Sequence, residues 1–163
     1  PTTNVYLEEN SFCEMEMVQV RGVSSTVRDT NAEIGAGAKL ILTERLLTHD
    51  NQVAVSNMKI ELKGEGSNVQ VISRSVAQDN STQTFNPLVI GETACHGHVQ
   101  CDAIIMGNAK VKAIPGIEAA CEDATLIHEA AIGKIAGEEI TKLMTLGLTE
   151  EEAEAEIIED FLN

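Results

Sequence analysis

Aromatic side chains are nearly missing from this chain of 163 residues: no Trp, one Tyr and three Phe. A compact sandwich or barrel fills its centre with rings, and so few of them argue against that kind of core. The interior must be built from Val, Ile, Leu, Ala and Met, which suits a narrow, repetitive coil of stacked small aliphatics. Basic residues are scarce as well. Eleven Lys and Arg against 26 Asp and Glu leave a formal net charge of -15. Nucleic acid and anionic membrane surfaces both require clustered cations, so neither is an expected partner. No apolar run approaches the ~20 residues of a membrane span, and "PTTNVYLEEN" has neither region of a signal peptide. Four scattered Cys do not make a disulfide framework in a chain of this size. Free thiols in a reducing cytoplasm are the expectation. A first residue of Pro rather than Met is that of a fragment or a processed form.

The length suits one domain with a small appendage. From about Cys13 to Ile135 the chain reads as short strands punctuated by Gly, Asn, Asp and Ser, with no helical periodicity. "EMEMVQVRGV", "AKLILTERLL", "NMKIEL", "NVQVISRSVA", "NPLVIGE", "HVQCDAIIMG", "KVKAIP" and "ATLIHEAAIG" are the expected strands. Several share a phrase of apolar residue, Gly and a small or polar pair, as in "EIGAGAKL", "VIGETA" and "IMGNAKV". Turn and strand recurring at short spacing is the pattern of a β-solenoid. The spacing is too irregular for a strict hexapeptide helix. That weighs against a solenoid acyltransferase, which would also need a catalytic His in a cleft between coils and a trimer. A jelly roll is the competing all-β architecture, disfavoured by the missing rings.

After residue 135 the character changes, dividing the chain into a β-core over 1–135 and a helical region over 136–163. "GEEITKLMTLG" places Ile140, Leu143 and Met144 on one helical face, with Gly147 in a helix-ending position. Thr149 and Glu152 then form a capping-box pair, and acids follow the cap. Ala153, Ile157, Ile158 and Phe161 share a face of the second helix. The resulting hairpin needs a surface to cover its apolar stripe, either the β-core or another protein. Its many acids fit a solvated face or a docking surface for a basic partner.

"CHGHVQC" packs Cys95, His96, His98 and Cys101 into seven residues. Read as a strand, it points Cys95, Val99 and Cys101 one way and the two His the other. The two Cys would then stand about 20 Å apart, whereas sulfurs sharing a zinc ion lie within about 4 Å. An extended segment is therefore no zinc knuckle, and a loop at Gly97 would give a spacing that standard zinc sites do not use. The His-x-His pair by itself is a weak metal signal. A solenoid permits a second pairing. Cys101 and His128 are 27 residues apart, within the length of one structural repeat, and would meet if their faces correspond. Glu129 would point outward, so one metal holding both His128 and Glu129 would need a kink. The alternative is a buried Cys serving as a small hydrophobe beside a hydrogen-bonded core His.

The C-terminal residues resemble the second half of the SufB/SufD family, the iron–sulfur cluster assembly scaffolds of the Suf system. The likeness rests on Cys101-Asp102, on Ile114, Pro115 and Glu118, on "HEA" from His128, on "GKI" from Gly133 and on "LGLTEEEA". These stand in order from Val99 to Leu162; the upstream strands resemble the family's rungs more loosely. The resemblance implies a right-handed parallel β-helix followed by a short α-helical hairpin. It implies pairing with a SufB/SufD-type subunit or a second copy, and docking of a SufC-type ATPase on the helices. In SufB-like members the residues matching Cys101, His128 and Glu129 are implicated in holding a transient iron–sulfur cluster. A SufD-like member would instead be a non-cluster-binding platform. The chain departs from the family at Ile127, where an acid is usual, at Thr141 and Lys142, where an aromatic pair is usual, and at Leu146, where an Arg is usual. Cys95, His96 and His98 lie outside the shared pattern as weaker ligand candidates. No Walker motif or nucleophile–base set is present, so any ATPase activity belongs to a partner.

Overall fold

In a computed structural model describing residues 1–20 and 22–163, the chain winds as a parallel β-solenoid of about five turns. Strands β1 (Thr2–Leu7), β3 (Ser25–Ile34), β5 (Val53–Leu62), β7 (Thr82–Gly91) and β10 (Gly116–Ala119) form one sheet, with β9 (Lys110–Ala113) also on β7. Strands β2 (Phe12–Gln19), β4 (Lys39–Thr48), β6 (Asn68–Ala77), β8 (Cys95–Ile105) and β11 (Ala124–Lys134) form the other. Up to β9, odd and even strands fall on opposite sides, giving an odd sheet that β10 joins and an even sheet that β11 joins. Phe12 pairs with Lys39, Lys39 with Asn68, and Ser25 with Val53, so one coil takes 27 to 29 residues. Because side chains alternate along a strand, this register stacks one inward residue per coil into columns.

Two columns of the even sheet are Cys13–Leu40–Val69–Gly97–Leu126 and Met15–Leu42–Val71–Val99–His128. Opposite them run Ala32–Ile60–Val89–Ile117 and Ile34–Leu62–Gly91–Ala119. Leu40, Leu42, Ile60, Leu62, Val69 and Val71 are fully enclosed. Each such side chain contributes roughly 1.5–3 kcal/mol relative to exposure. The expected all-aliphatic interior holds for this half of the cross-section only. The other half is polar: Thr30, Glu44, Thr48, Ser56, Ser73, Ser75, Ser81 and Gln83 are buried there. Thr48 Oγ1 and Ser81 Oγ lie 2.9 Å apart, and Gln83 Nε2 donates to Thr48 Oγ1 and to the Val76 carbonyl, both at 2.9 Å. Outside, amides stack across coils, Asn57 Nδ2 donating to Asp29 and Asn86 Nδ2 to Asn57, each at 2.8 Å.

Three strands lie outside the expected set: β1, β3 and β10. The polar interior hid β3, whose inward positions include Thr26, Arg28 and Thr30. The Ile114–Pro115 segment is a break in a rung rather than a free turn. Pro115 has no N–H for the ladder, so β9 ends before it and β10 resumes after it. The expected "EMEMVQVRGV" strand is present as Phe12–Gln19, and its Arg21 lies outside the described residues.

Both expected helices form. Helix α1 (Gly137–Thr145) ends in a Schellman motif, with Gly147 at φ +99 and the Leu148 N–H on the Leu143 carbonyl. Helix α2 (Glu150–Leu162) opens on the capping box: Glu152 N donates to Thr149 Oγ1 and Thr149 N to Glu152 Oε2. The α2 part of the stripe turns toward the β-core, where α2 lies against β6 and α1, whereas α1 buries no residue and its Met144 stays exposed. α2 buries Ala153 of the stripe and Leu162 beside it, and Val76, an outward residue of β6, is enclosed beneath the helix. Among the described residues no helix is long and apolar enough to cross a membrane.

Of the glycines, Gly64 sits tightest between coils, where an added Cβ would overlap the backbone of Ala36 and Gly35. Gly133 meets nothing within 4 Å of the same construction. Gly64→Ala should therefore cost more than about 3 kcal/mol, while Gly133→Ala stays within about 0.5 kcal/mol. Urea unfolding midpoints of the two variants test this; equal midpoints would remove the close approach as a determinant of the fold.

Candidate functional site

"CHGHVQC" is the opening of β8 and is extended throughout. Cys95 and Cys101 are buried, His98 is half-buried and His96 is exposed. The strand alternation is as expected, and it rules out one metal shared by Cys95 and Cys101. β11 runs beside β8 without a kink, pairing Val99 with His128, Gln100 with Glu129 and Cys101 with Ala130. One coil here spans 29 residues, from Cys101 to Ala130, so a separation of 27 sets His128 diagonally beside Cys101 on the same inward face. Rung spacing and rise together put such diagonal Cα atoms about 8 Å apart.

Glu129 faces outward. Its Oε2 lies 3.1 Å from His98 Nε2. The sequence candidates thus divide into an inward pair, Cys101 with His128, and an outward pair, His98 with Glu129, on opposite faces of the same two strands. His96 joins neither, and Cys95 sits six residues up the strand from Cys101.

The inward pair is uncharged at neutral pH. The Cys101 thiol is pushed up to about 11, chiefly by burial, with the negative charges of Asp102 and Glu44 adding to it. His128 is held below the usual imidazole value by burial and then by His98. Its Nε2 is buried and has no hydrogen-bond partner. An orphaned ring nitrogen beside a thiol is a donor set suited to a soft or borderline metal.

Two features escaped the sequence reading. Glu44 is 1% exposed and stands in the column Met17–Glu44–Ser73–Cys101–Ala130. Arg28 Nη1 reaches it from the opposite sheet at 2.9 Å, and Ser73 Oγ donates to it at 3.3 Å. Burial raises its carboxyl, and the Arg28 charge and the Ser73 hydroxyl oppose that rise. The signal was there: Leu40, Leu42, Glu44 and Leu46 share one strand face, so the alternation itself put an acid inside. The second feature is a corner group of His49, Asp50 and Asp79, whose donor atoms lie within 4.8 Å of one another. His49 Nδ1 contacts Asp50 Oδ2 at 2.7 Å, and Asp79 Oδ2 accepts the Asp50 N–H at 2.8 Å. Both Asp hold left-handed turns, which only the stacking of coils brings together.

A parallel β-solenoid with a Cys–His pair facing inward and a helical hairpin packed on its even sheet defines the class. Residues 1–161 match the family model "SUF system FeS cluster assembly, SufBD core domain". Iron–sulfur cluster assembly SufBD family proteins are among the similar curated proteins. One from Methanocaldococcus jannaschii is 30% identical over 99% of this chain and 52% of its own length. One from Pyrococcus horikoshii is 30% identical over 98% and 43%, and one from Methanothermobacter thermautotrophicus 30% identical over 79% and 32%. The chain belongs to the SufBD family. It spans between a third and about half the length of these relatives.

A thiol whose folded value exceeds its ordinary 9.0 contributes stability that is intact below pH 9 and lost as pH rises through about 11. Between pH 8.5 and 11 the parent should lose about 2 kcal/mol more than Cys101→Ala. Denaturant midpoints across that range measure it, and parallel losses in the two proteins would contradict the assignment.

Proposed function

We propose that this chain is the cluster-holding module of a Suf assembly scaffold, with the nascent iron–sulfur cluster as its cargo and Cys101 and His128 as its inward ligands. The observation that supports this reading is that Cys101 and His128 share the inward face of adjacent strands, two residues apart in register, and that the buried His128 Nε2 has no partner. Thiolate and imidazole both bind iron. Binding must expel the Cys101 proton, so the site takes metal with proton release and gives it up readily to acid. Glu129, facing out beside His98, would act on the opposite face, at the entry side of the strands. A SufD-like platform that holds no cluster is the second reading, favoured by the high thiol pKa and by the outward turn of Glu129.

Anaerobic reconstitution with iron and sulfide, followed by absorption and Mössbauer spectroscopy, separates the two. The scaffold reading expects a cluster in the parent that falls at least about tenfold in Cys101→Ala, with weaker loading or altered hyperfine parameters in His128→Ala. A cluster undiminished in Cys101→Ala would eliminate that residue as a ligand, and none in the parent would favour the platform.

The hairpin is the proposed dock for a SufC-type ATPase, through residues that the β-core leaves free. Leu146 is 80% and Met144 45% exposed, at the turn end of α1. Replacing both with Glu should lower co-purification of such an ATPase at least roughly tenfold and leave the thermal midpoint unchanged. Undiminished co-purification would move the dock elsewhere. The β-core is the proposed surface for a second SufB/SufD-type subunit or a second copy of this chain.

A further inference from the structure

One group of donors lies outside both ligand pairs, at a corner where two turns stack. His49 and Asp50 follow β4, and Asp79 follows β6 one coil on. The ladder continues around this corner: the Gln78 N–H donates to the Thr48 carbonyl at 2.8 Å, and the Asn80 N–H to the Asp50 carbonyl at 2.9 Å. Asp50 and Asp79 are thereby equivalent positions of successive coils. The next position in their column is Gly107, since the Asn108 N–H donates to the Asp79 carbonyl at 2.7 Å, so the carboxylates are two and no more. His49, Asp50 and Asp79 each bring one donor atom within 4.8 Å of the other two. The imidazole is held in place from its far side. The His49 N–H donates to Gln52 Oε1 at 3.0 Å, and Gln52 Nε2 lies 3.4 Å from the ring Nε2, which leaves Nδ1 toward the Asp50 carboxylate.

Among the described residues no Lys or Arg ion pair reaches Asp50 or Asp79. Like charges on facing residues of neighbouring strands are destabilising, and the turn itself does not call for them. The turns at the other corner hold left-handed backbone with Asn10, Gly37 and Gly66, all uncharged. The imidazole sets this corner apart from an ordinary acidic surface. One ring nitrogen and two carboxylate oxygens are donors that zinc and similar divalent ions accept, whereas magnesium and calcium take oxygen alone. Bonds of about 2.0–2.2 Å put neighbouring donors about 3–4 Å apart on one ion. The three side chains therefore need to close by only about 1 Å, and all three are half-buried or exposed and free to do so.

We propose that His49, Asp50 and Asp79 bind a divalent cation of the zinc type, with water completing its coordination. The ion ties the β4–β5 turn to the β6–β7 turn and turns a repulsion between two carboxylates into a shared attraction. It braces the polar half of the interior from outside, because Thr48 and Ser81, whose hydroxyls meet at 2.9 Å, lie directly behind this corner. The site shares no residue with Cys101 and His128 and stands whether or not they hold a cluster.

The full chain, stripped of metal by a chelator, is titrated with Mn2+ while its backbone amide signals are followed by NMR. Broadening is expected first at residues 49–52 and 78–80. One equivalent of Zn2+ should reverse it, and an equal concentration of Mg2+ should not. Asp79→Asn suits the left-handed turn and should weaken Zn2+ binding at this corner at least about tenfold, the least that losing even an outer-shell partner costs. His49→Gln should abolish the preference for Zn2+ over Mg2+. Broadening spread over the acidic surface of α2 and reversed equally by Mg2+ would overturn the proposal, and so would broadening confined to β8 and β11. The mapping uses the parent, so a misfolded variant leaves the test intact.

Discussion

Everything functional in this chain depends on the parallel register between consecutive coils. Backbone hydrogen bonds set a period of 27 to 29 residues, and that period decides which side chains share a column. A slip of one residue would exchange the inward and outward faces of a whole strand. It would put Cys101 and His128 in solvent and carry His98 and Glu129 inside. The apolar columns guard the register against such a slip, because it would strand Leu42, Val71 and Val99 in water. Packing on one half of the cross-section thereby fixes the chemistry of the other half.

That second half is costly to bury. Glu44 and Arg28 cross the interior from opposite sheets, and a buried ion pair seldom adds much to stability once desolvation is counted. Its effect is directional instead. It puts a negative centre two rungs from Cys101 in the same column, with Ser73 between them. Together with burial and Asp102, this keeps the thiol protonated at neutral pH. A cation at Cys101 would reverse that penalty, since the charges that disfavour a bare thiolate favour a metal beside it.

How much of this was legible in the sequence follows from where the chain obeys simple alternation. Strands with aliphatic inward residues, such as β4, β6, β8 and the second halves of β5 and β7, could be read directly, as could the two helix caps, which are local chemistry; the first four residues of β5 and β7 were not read as strand. β3 could not, because Arg28 and Thr30 put polar groups on its inward face and mimic a loop. The faces of Cys101 and His128 were legible from alternation, but their diagonal offset was not. A period of 29 at that rung is a property of the turns between strands, which the spacing of 27 does not contain. Likewise no local pattern announces His49, Asp50 and Asp79, since their approach exists only across stacked corners.

The division of the candidate ligands between two faces has a consequence for cargo release. A site formed by all of Cys101, His128 and Glu129 on one side would hold iron with three protein donors and part with it slowly. On the proposed reading, two inward donors, one of them a thiol that strongly prefers its proton, would leave most of the metal's coordination to sulfide or to a partner. Both donors lie on the last two coils, and β11 is an edge strand. Ligands on an edge move with less disruption than ligands in the middle of a stack, because only one ladder restrains them. On the proposed scaffold reading, weak ligation with His128 on the edge strand would suit transfer better than storage, and it would follow from the position of two residues in a register rather than from any motif.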